Sequence, residues 1–165
     1  MPNTSSGAGG GADTLQCGEV GTYADLKKKK GKPKGSMSRD HIPSKAALKE
    51  YARNILKKVG KKLSPAQARA IEDLGLCVVV PSSAHRGVSP TYGGRNTVEK
   101  IQEQGKDGNS LKQACKDDTD KMLANSDKLG DAKCKKAYMA AADKLNSRTA
   151  ADYDAAIRRI VLPGR

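Results

Sequence analysis

Leu76-Cys77-Val78-Val79-Val80-Pro81 (LCVVVP, residues 76–81) is a continuous apolar run rich in β-branched side chains, the pattern of a buried strand. It stands among segments of helical periodicity, so reading it as a strand separates a mixed fold from an all-helical one. Just upstream, Ser64-Pro65-Ala66-Gln67 opens a helix: Ser64 caps, Pro65 suits the first helical position, Gln67 completes a capping box, and Gly75 ends it. Before that, Leu48, Tyr51, Ala52, Ile55 and Val59 recur at helical spacing and predict a helix over 44–59 that stops at Gly60. Met37–Ile42 leads into Pro43, which disfavours helical backbone at the residue before it, so His41-Ile42-Pro43 reads as extended with a helix starting just after it. Gly18–Leu26, with Val20, Tyr23 and Leu26 as apolar contacts, reads as a short strand or turn, and Lys27–Ser36 (KKKKGKPKGS) as a loop.

Downstream, Ser82–Asn96 (SSAHRGVSPTYGGRN) is dense in polar residues and glycine and is expected to be a loop that carries function. Helices are expected at Thr97–Gln104, Ser110–Asn125, Ala132–Leu145 and Thr149–Leu162, the last opened by a Thr149/Asp152 capping box. The fold class is therefore α+β, a helix-dominated single domain with few strands. Residues 1–14 are Gly, Ser, Ala, Asn and Thr with almost no large apolar side chain and read as a flexible linker ahead of a domain at 15–165. That layout is expected of a C-terminal module of a larger protein. The chain has no Phe, no Trp and five Tyr, so the core must be built from Ala, Leu, Ile and Val. No apolar run approaches the ~20 residues a bilayer span needs, and the first residues lack the basic and apolar regions of a signal peptide.

The net charge is +13, and its position matters more than its size. Lys27–Lys62 holds 14 basic residues against two acids, Asp40 and Glu50, whereas the remainder is nearly balanced. A localised positive field attracts polyanions by releasing their counterions, so nucleic acid is the first partner to expect. Cys17, Cys77, Cys115 and Cys134 lack the paired spacing of a zinc site. Cys115 and Cys134 are a candidate disulfide, the alternative being free, partly buried thiols. Walker, dinucleotide-binding and Gly-x-Ser-x-Gly patterns are absent.

Both histidines lie in polar stretches beside a strand. Arg39-Asp40-His41-Ile42-Pro43 places an acid and a histidine next to each other on extended backbone, where they point in opposite directions. One can bind a metal while the other handles the proton of a water attacking phosphorus, a division suited to phosphodiester hydrolysis. In the second stretch, His85 can complete metal coordination, and Arg86 and Arg95 can clamp phosphate oxygens. Arg39 and Lys45 are further candidates for phosphate contact.

Arg39-Asp40-His41-Ile42-Pro43, followed after helices by an apolar strand, the His85-Arg86 pair and the Gly93-Gly94 turn, resembles the HNH/ββα-metal (His-Me finger) nucleases, in particular the toxin domains at the C-termini of bacterial polymorphic toxins. The likeness covers about residues 37–104, with 105–165 as a helical remainder. It implies a strand–strand–helix catalytic unit closed by the helix that begins near Asn96. It also implies Asp40 as metal-binding acid, His41 as general base and His85 as metal-binding histidine. The chain departs from the pattern in having two inserted helices, and Ser89, Thr91 and Tyr92 where relatives often have a further histidine. A third metal ligand is thus unassigned, with Asn96 the candidate. The family's properties imply a divalent ion, Mg²⁺ first and Zn²⁺ or Mn²⁺ next, cleavage of DNA rather than RNA, secretion or injection into the cytoplasm of a target cell, and an immunity partner, for which an acidic protein would suit the basic face. Two other readings compete. One is metal-independent RNA cleavage by His41 and His85, and the other is a basic module that binds nucleic acid without cutting it.

Overall fold

The computed structural model describes residues 14–30 and 36–164. Its elements, in order, are β1 (Val20–Thr22), α1 (Tyr23–Leu26), β2 (Met37–His41), α2 (Lys45–Lys57), α3 (Pro65–Leu74), β3 (Leu76–Pro81), α4 (Ser82–Val88), α5 (Val98–Gln104), α6 (Gly108–Ala124), α7 (Ala132–Asn146) and α8 (Ala150–Val161). Short 3₁₀ turns lie at Gly93–Arg95 and Ser126–Leu129. The α+β, helix-dominated architecture is as the sequence indicates.

β3 is the middle of a three-stranded antiparallel sheet of order β1-β3-β2. Val78, Val79 and Val80 are fully buried, because a central strand with both faces covered has no solvent side to give to polar residues. Alternation then sorts the sheet's side chains. Val78, Val80 and the adjoining Ile42 join Ala84, Val88, Cys115, Met122, Tyr138 and Leu145 under α4, α6 and α7. Cys77 and Val79 pack with Leu15 and Leu26 on the other face. A second helical core unites α2, α3 and α8 through Leu48, Ile55, Ile71, Tyr153 and Ile157, with Leu111 of α6.

Local chemistry fixes the helix boundaries. Ser44 Oγ accepts from the Ala47 amide at the start of α2, and the capping boxes Ser64/Gln67 and Thr149/Asp152 both form. α6 starts earlier than its apolar pattern indicates, because the Asp107 side chain caps the Ser110 amide and brings Gly108 into the helix.

Three expectations are corrected. Residues 82–96 are not one loop: α4 follows β3 directly, with Ala84 and Val88 one turn apart in the core. The helix that packs on β2 and β3 is accordingly α4, whereas α5 near Asn96 packs on α2 and α6. The disulfide joins Cys17 to Cys134, with Cα atoms 5.4 Å apart, while Cys77 and Cys115 are free and buried. Cys115 is buried in the core on α6, and its expected partner Cys134 is taken by Cys17. Burial pushes the Cys115 thiol up to about 11, which keeps it protonated and inert. Of the expected linker, residues 1–13 lie outside the described residues, and Thr14 makes an isolated parallel bridge with Lys30.

The disulfide closes a loop of 117 residues. Reduction should lower unfolding stability by about 2–4 kcal/mol, measured by guanidinium titration with and without dithiothreitol. Cys17→Ser should reproduce the loss, and Cys77→Ser should leave the reductant effect intact.

Candidate functional site

β2 carries the two central residues, and its register with β3 sets their directions. Asp40 pairs with Val78 and His41 with Cys77, so the two side chains leave opposite faces of the sheet at its end. Asp40, only 4% exposed, turns toward α4. There His85, one turn into the helix, brings Nε2 to 3.4 Å from Asp40 Oδ1. Ser38 Oγ and Ser82 Oγ hydrogen-bond at 2.8 Å and fasten the start of α4 to the same strand. Tyr92 packs edge-on against the His85 ring with centroids 4.9 Å apart.

His41 faces α3. Its Nε2 lies 2.9 Å from the main-chain oxygen of Glu72, and a carbonyl can only accept, so Nε2 carries the hydrogen and the lone pair of the neutral ring is on Nδ1. Tyr23 packs against the ring at 4.8 Å. The Glu72 carboxylate meanwhile binds Lys49 at 2.9 Å and Lys45 at 3.4 Å, so one residue ties α2, α3 and β2 together. Gly75 leaves the space that the His41 ring occupies: a Cβ there would lie 2.9 Å from His41 Cδ2 and 3.0 Å from Leu48 Cδ1. Its φ of −58° is ordinary, so close approach alone calls for glycine. Burial lowers the His41 pKa from 6.5, with a smaller contribution from Lys45 in the same direction, against the raising effect of the Glu72 carbonyl.

Asp40, His41 and His85 line one open cavity of about 380 Å³, together with Tyr23, Arg39, Lys45, Tyr92 and Asn96. Six of the twelve lining residues are candidates named from the sequence, but the phosphate candidates differ in availability. Arg39 is committed to structure, with Nε donating to the Leu26 carbonyl at 2.9 Å and Nη2 to that of Lys29 at 2.8 Å. Lys45 is exposed while touching Glu72. Arg95 sits 5.7 Å over the Tyr92 ring and hydrogen-bonds to the Arg86 carbonyl, and Arg86 itself is exposed on α4 without lining the cavity. Of the lysine run, Lys27, Lys28 and Lys29 are ion-paired with Asp73, Asp25 and Glu19.

Asn96 Oδ1 is buried and has no hydrogen-bond partner among the described residues. An unsatisfied carbonyl oxygen in a cavity that holds a carboxylate and an imidazole is a third donor of the right kind for a divalent ion. The Asp40–His85 separation suits the same purpose. At 3.4 Å the two atoms are farther apart than the about 2.7–2.9 Å of a charge-assisted hydrogen bond and close enough for both to reach one ion at about 2.1 Å. Among the described residues no three His, Cys, Asp or Glu side chains gather into a metal cluster, so a third protein donor to an ion here would have to be of another type, such as the Asn96 amide.

Behind Asp40 lies a residue that sequence reasoning missed. Asp118 is 4% exposed, and both its carboxylate oxygens lack hydrogen-bond partners among the described residues. Burial first, and the Asp40 charge second, push its carboxyl up to about 8, so it is largely protonated at neutral pH. Tyr138 beside it is fully buried, and its hydroxyl has no hydrogen-bond partner among the described residues. A signal was present: Asp118 falls in step with Leu111, Cys115 and Met122 on the apolar stripe of α6, where an acid is out of place.

Comparison with known proteins adds one match. Over 89 residues, 54% of this chain, the sequence is 39% identical to "Deoxyribonuclease CdiA" of Dickeya dadantii (strain 3937). The match spans 2% of that relative's length. No family model matches the chain. No solved structure matches it either. Among the described residues no helix is long and apolar enough to cross a membrane.

Two expectations follow. In an NMR titration the His41 ring should give a midpoint below 6.5, in contrast to an exposed histidine. Between 6.5 and that midpoint the unfolded chain binds a proton that the folded chain refuses. His41 therefore contributes a loss of stability as pH falls through this window and none above it. Gly75→Ala should displace the ring, shift its NMR signals and cost about 1–3 kcal/mol of stability, while Gly94→Ala, whose Cβ meets nothing within 4 Å, should do neither.

Proposed function

We propose that this chain is a bacterial antagonistic toxin domain that hydrolyses phosphodiester bonds of nucleic acid, DNA in preference to RNA, with a divalent ion. The observation that carries the reading is the convergence of Asp40, His85 and His41 on one cavity from two separate chain segments. Similarity to a protein named as a deoxyribonuclease supports DNA as the substrate. The short matched share of a very long relative supports a module delivered as part of a larger secreted or injected effector, acting in the target-cell cytoplasm. The Cys17–Cys134 disulfide fits passage through an oxidising compartment on the way.

In this reading Asp40 Oδ1, His85 Nε2 and Asn96 Oδ1 hold the ion, with Mg²⁺ the first choice and Mn²⁺ or Zn²⁺ the others. When bound, it supplies positive charge to the developing phosphorane and the leaving oxygen. His41 supplies the base. Its Nε2–H is kept on the Glu72 carbonyl, so Nδ1 takes the proton of the attacking water, and its lowered pKa keeps the ring neutral at pH 7. Lys45, on the cavity rim, is placed to meet a phosphate oxygen, a contact that Arg86 would provide from the neighbouring surface of α4. Asp40, held by burial and by His85, cannot turn away to solvent. An acidic immunity protein laid over the cavity would be drawn by the same positive field that attracts substrate.

The test is incubation with plasmid DNA and, separately, total RNA, each with Mg²⁺, Mn²⁺, Zn²⁺ or EDTA. DNA cleavage should need a cation. His41→Ala should lower the rate by about 10²–10⁴-fold with DNA affinity unchanged, and Asp40→Ala should abolish the response to cation. EDTA-resistant loss of RNA alone would replace the metal reading with catalysis by the two histidines. Intact nucleic acid throughout would remove the enzymatic reading.

A further inference from the structure

The positive charge that the cavity does not use lies along one helix. Lys45, Lys49, Arg53 and Lys57 repeat at intervals of four on α2, a spacing that drifts by about 40° per step and so keeps the row on one side of the helix. Lys45 is at the cavity rim. At the far end, Arg53, Lys57, Lys61, Lys62 and Leu63 line a separate groove of about 390 Å³. The sharp reversal at Gly60, with φ +71°, and the hydrogen bond from the Lys61 amide to the Leu56 carbonyl hold Lys61 and Lys62 beside the end of α2. From Lys45 to Lys57 the helix covers about 18 Å, the length of about five base pairs of duplex.

Lys45 and Lys49 are paired with Glu72, but beyond them the charges are not used by the fold. Lys57, Lys61 and Lys62 are exposed and have no acidic partner among the described residues, and Arg53 touches only Glu50 on its own helix at 3.4 Å. One cation in the last turn is enough to complement the helix dipole, and Lys61 and Lys62 lie beyond the helix. Nor is there a platform for bases. Tyr51, Tyr138 and Tyr153 are buried, and Tyr23 and Tyr92 line the cavity, leaving the row without an exposed aromatic. Such a row suits continuous phosphates and does not suit unstacked bases.

We propose that the α2 row and its terminal groove form a track for the backbone of double-stranded DNA, leading away from the cavity. The proposal rests on nucleic acid being the substrate. The test compares Arg53→Gln/Lys57→Gln/Lys61→Gln/Lys62→Gln with a control that removes the same charge elsewhere, Lys121→Gln/Lys128→Gln/Lys133→Gln/Lys136→Gln, each in a His41→Ala background. Affinity for a 30-base-pair duplex is measured against salt. The track variant should flatten the log–log slope by about 3–4, at about 0.9 per phosphate contact, and the control by less than one. Lys61→Gln/Lys62→Gln alone should give about half the effect, and circular dichroism checks each fold. With His41 restored, the track variant should raise KM for duplex and leave kcat unchanged. Equal flattening in track variant and control, or a loss confined to single strands or duplex RNA, would overturn the track. The two readings fail separately. Cleavage of DNA with an unchanged slope in the variant sinks the track alone, and the predicted slope change in a chain that cuts nothing sinks the nuclease alone.

Discussion

β3 has hydrogen-bonded partners on both edges and apolar layers on both faces, and nearly every other placement in the molecule follows from satisfying it. A fully covered strand must alternate its side chains between two cores, so α4, α6 and α7 close one side and the chain around Leu15 and Leu26 the other. The antiparallel register then fixes β2, and with it the opposite directions of Asp40 and His41. The same strand delivers α4 without an intervening loop, which puts His85 at the height of Asp40.

This layout explains why Asp40 and His41 have different surroundings although they are neighbours in sequence. Asp40 is directed into the larger core, where little besides His85 can neutralise it and where a second carboxyl, Asp118, is driven to stay protonated. His41 is directed toward the junction of α2 and α3, where a main-chain carbonyl reads its tautomer and partial burial keeps it neutral. Both line the same cavity, Asp40 from a pocket that sets it against His85 and His41 from a second pocket whose burial disfavours the charged ring. The absence of a side chain at Gly75 is part of the second pocket as much as the Glu72 carbonyl is.

The regular elements were legible in the sequence because their signals are local. Ser64-Pro65-Ala66-Gln67, the Thr149/Asp152 box and the β-branched run at 76–81 each specify structure within a few residues. α4 was hidden because its helix depends on tertiary packing: it has no side-chain cap, contains Gly87, and is held by Ala84 and Val88 in the core. Among the residues that line the cavity, Asp40, His41, His85 and Asn96 were recognisable by chemical type. The Glu72 contribution was not, since it is made by a backbone oxygen that any residue would supply. The Cys17–Cys134 pairing was equally out of reach, being a contact across 117 residues with no local mark. Arg39 shows the opposite failure: its type suggested an anion, and the fold uses it to fasten two carbonyls of the preceding segment.

That same cross-link decides how the molecule bears load. β1 is only three residues long and lies at the edge of the sheet, so a pull on the preceding chain would ordinarily peel it away first. With Cys17 bonded to α7, tension applied from the N-terminal side passes into a helix packed in the main core and bypasses β1. It also makes the domain a closed ring for threading. While the bond stands, the chain can enter a narrow channel only as a doubled strand, so reduction becomes a mechanical gate on any passage that requires a single extended file.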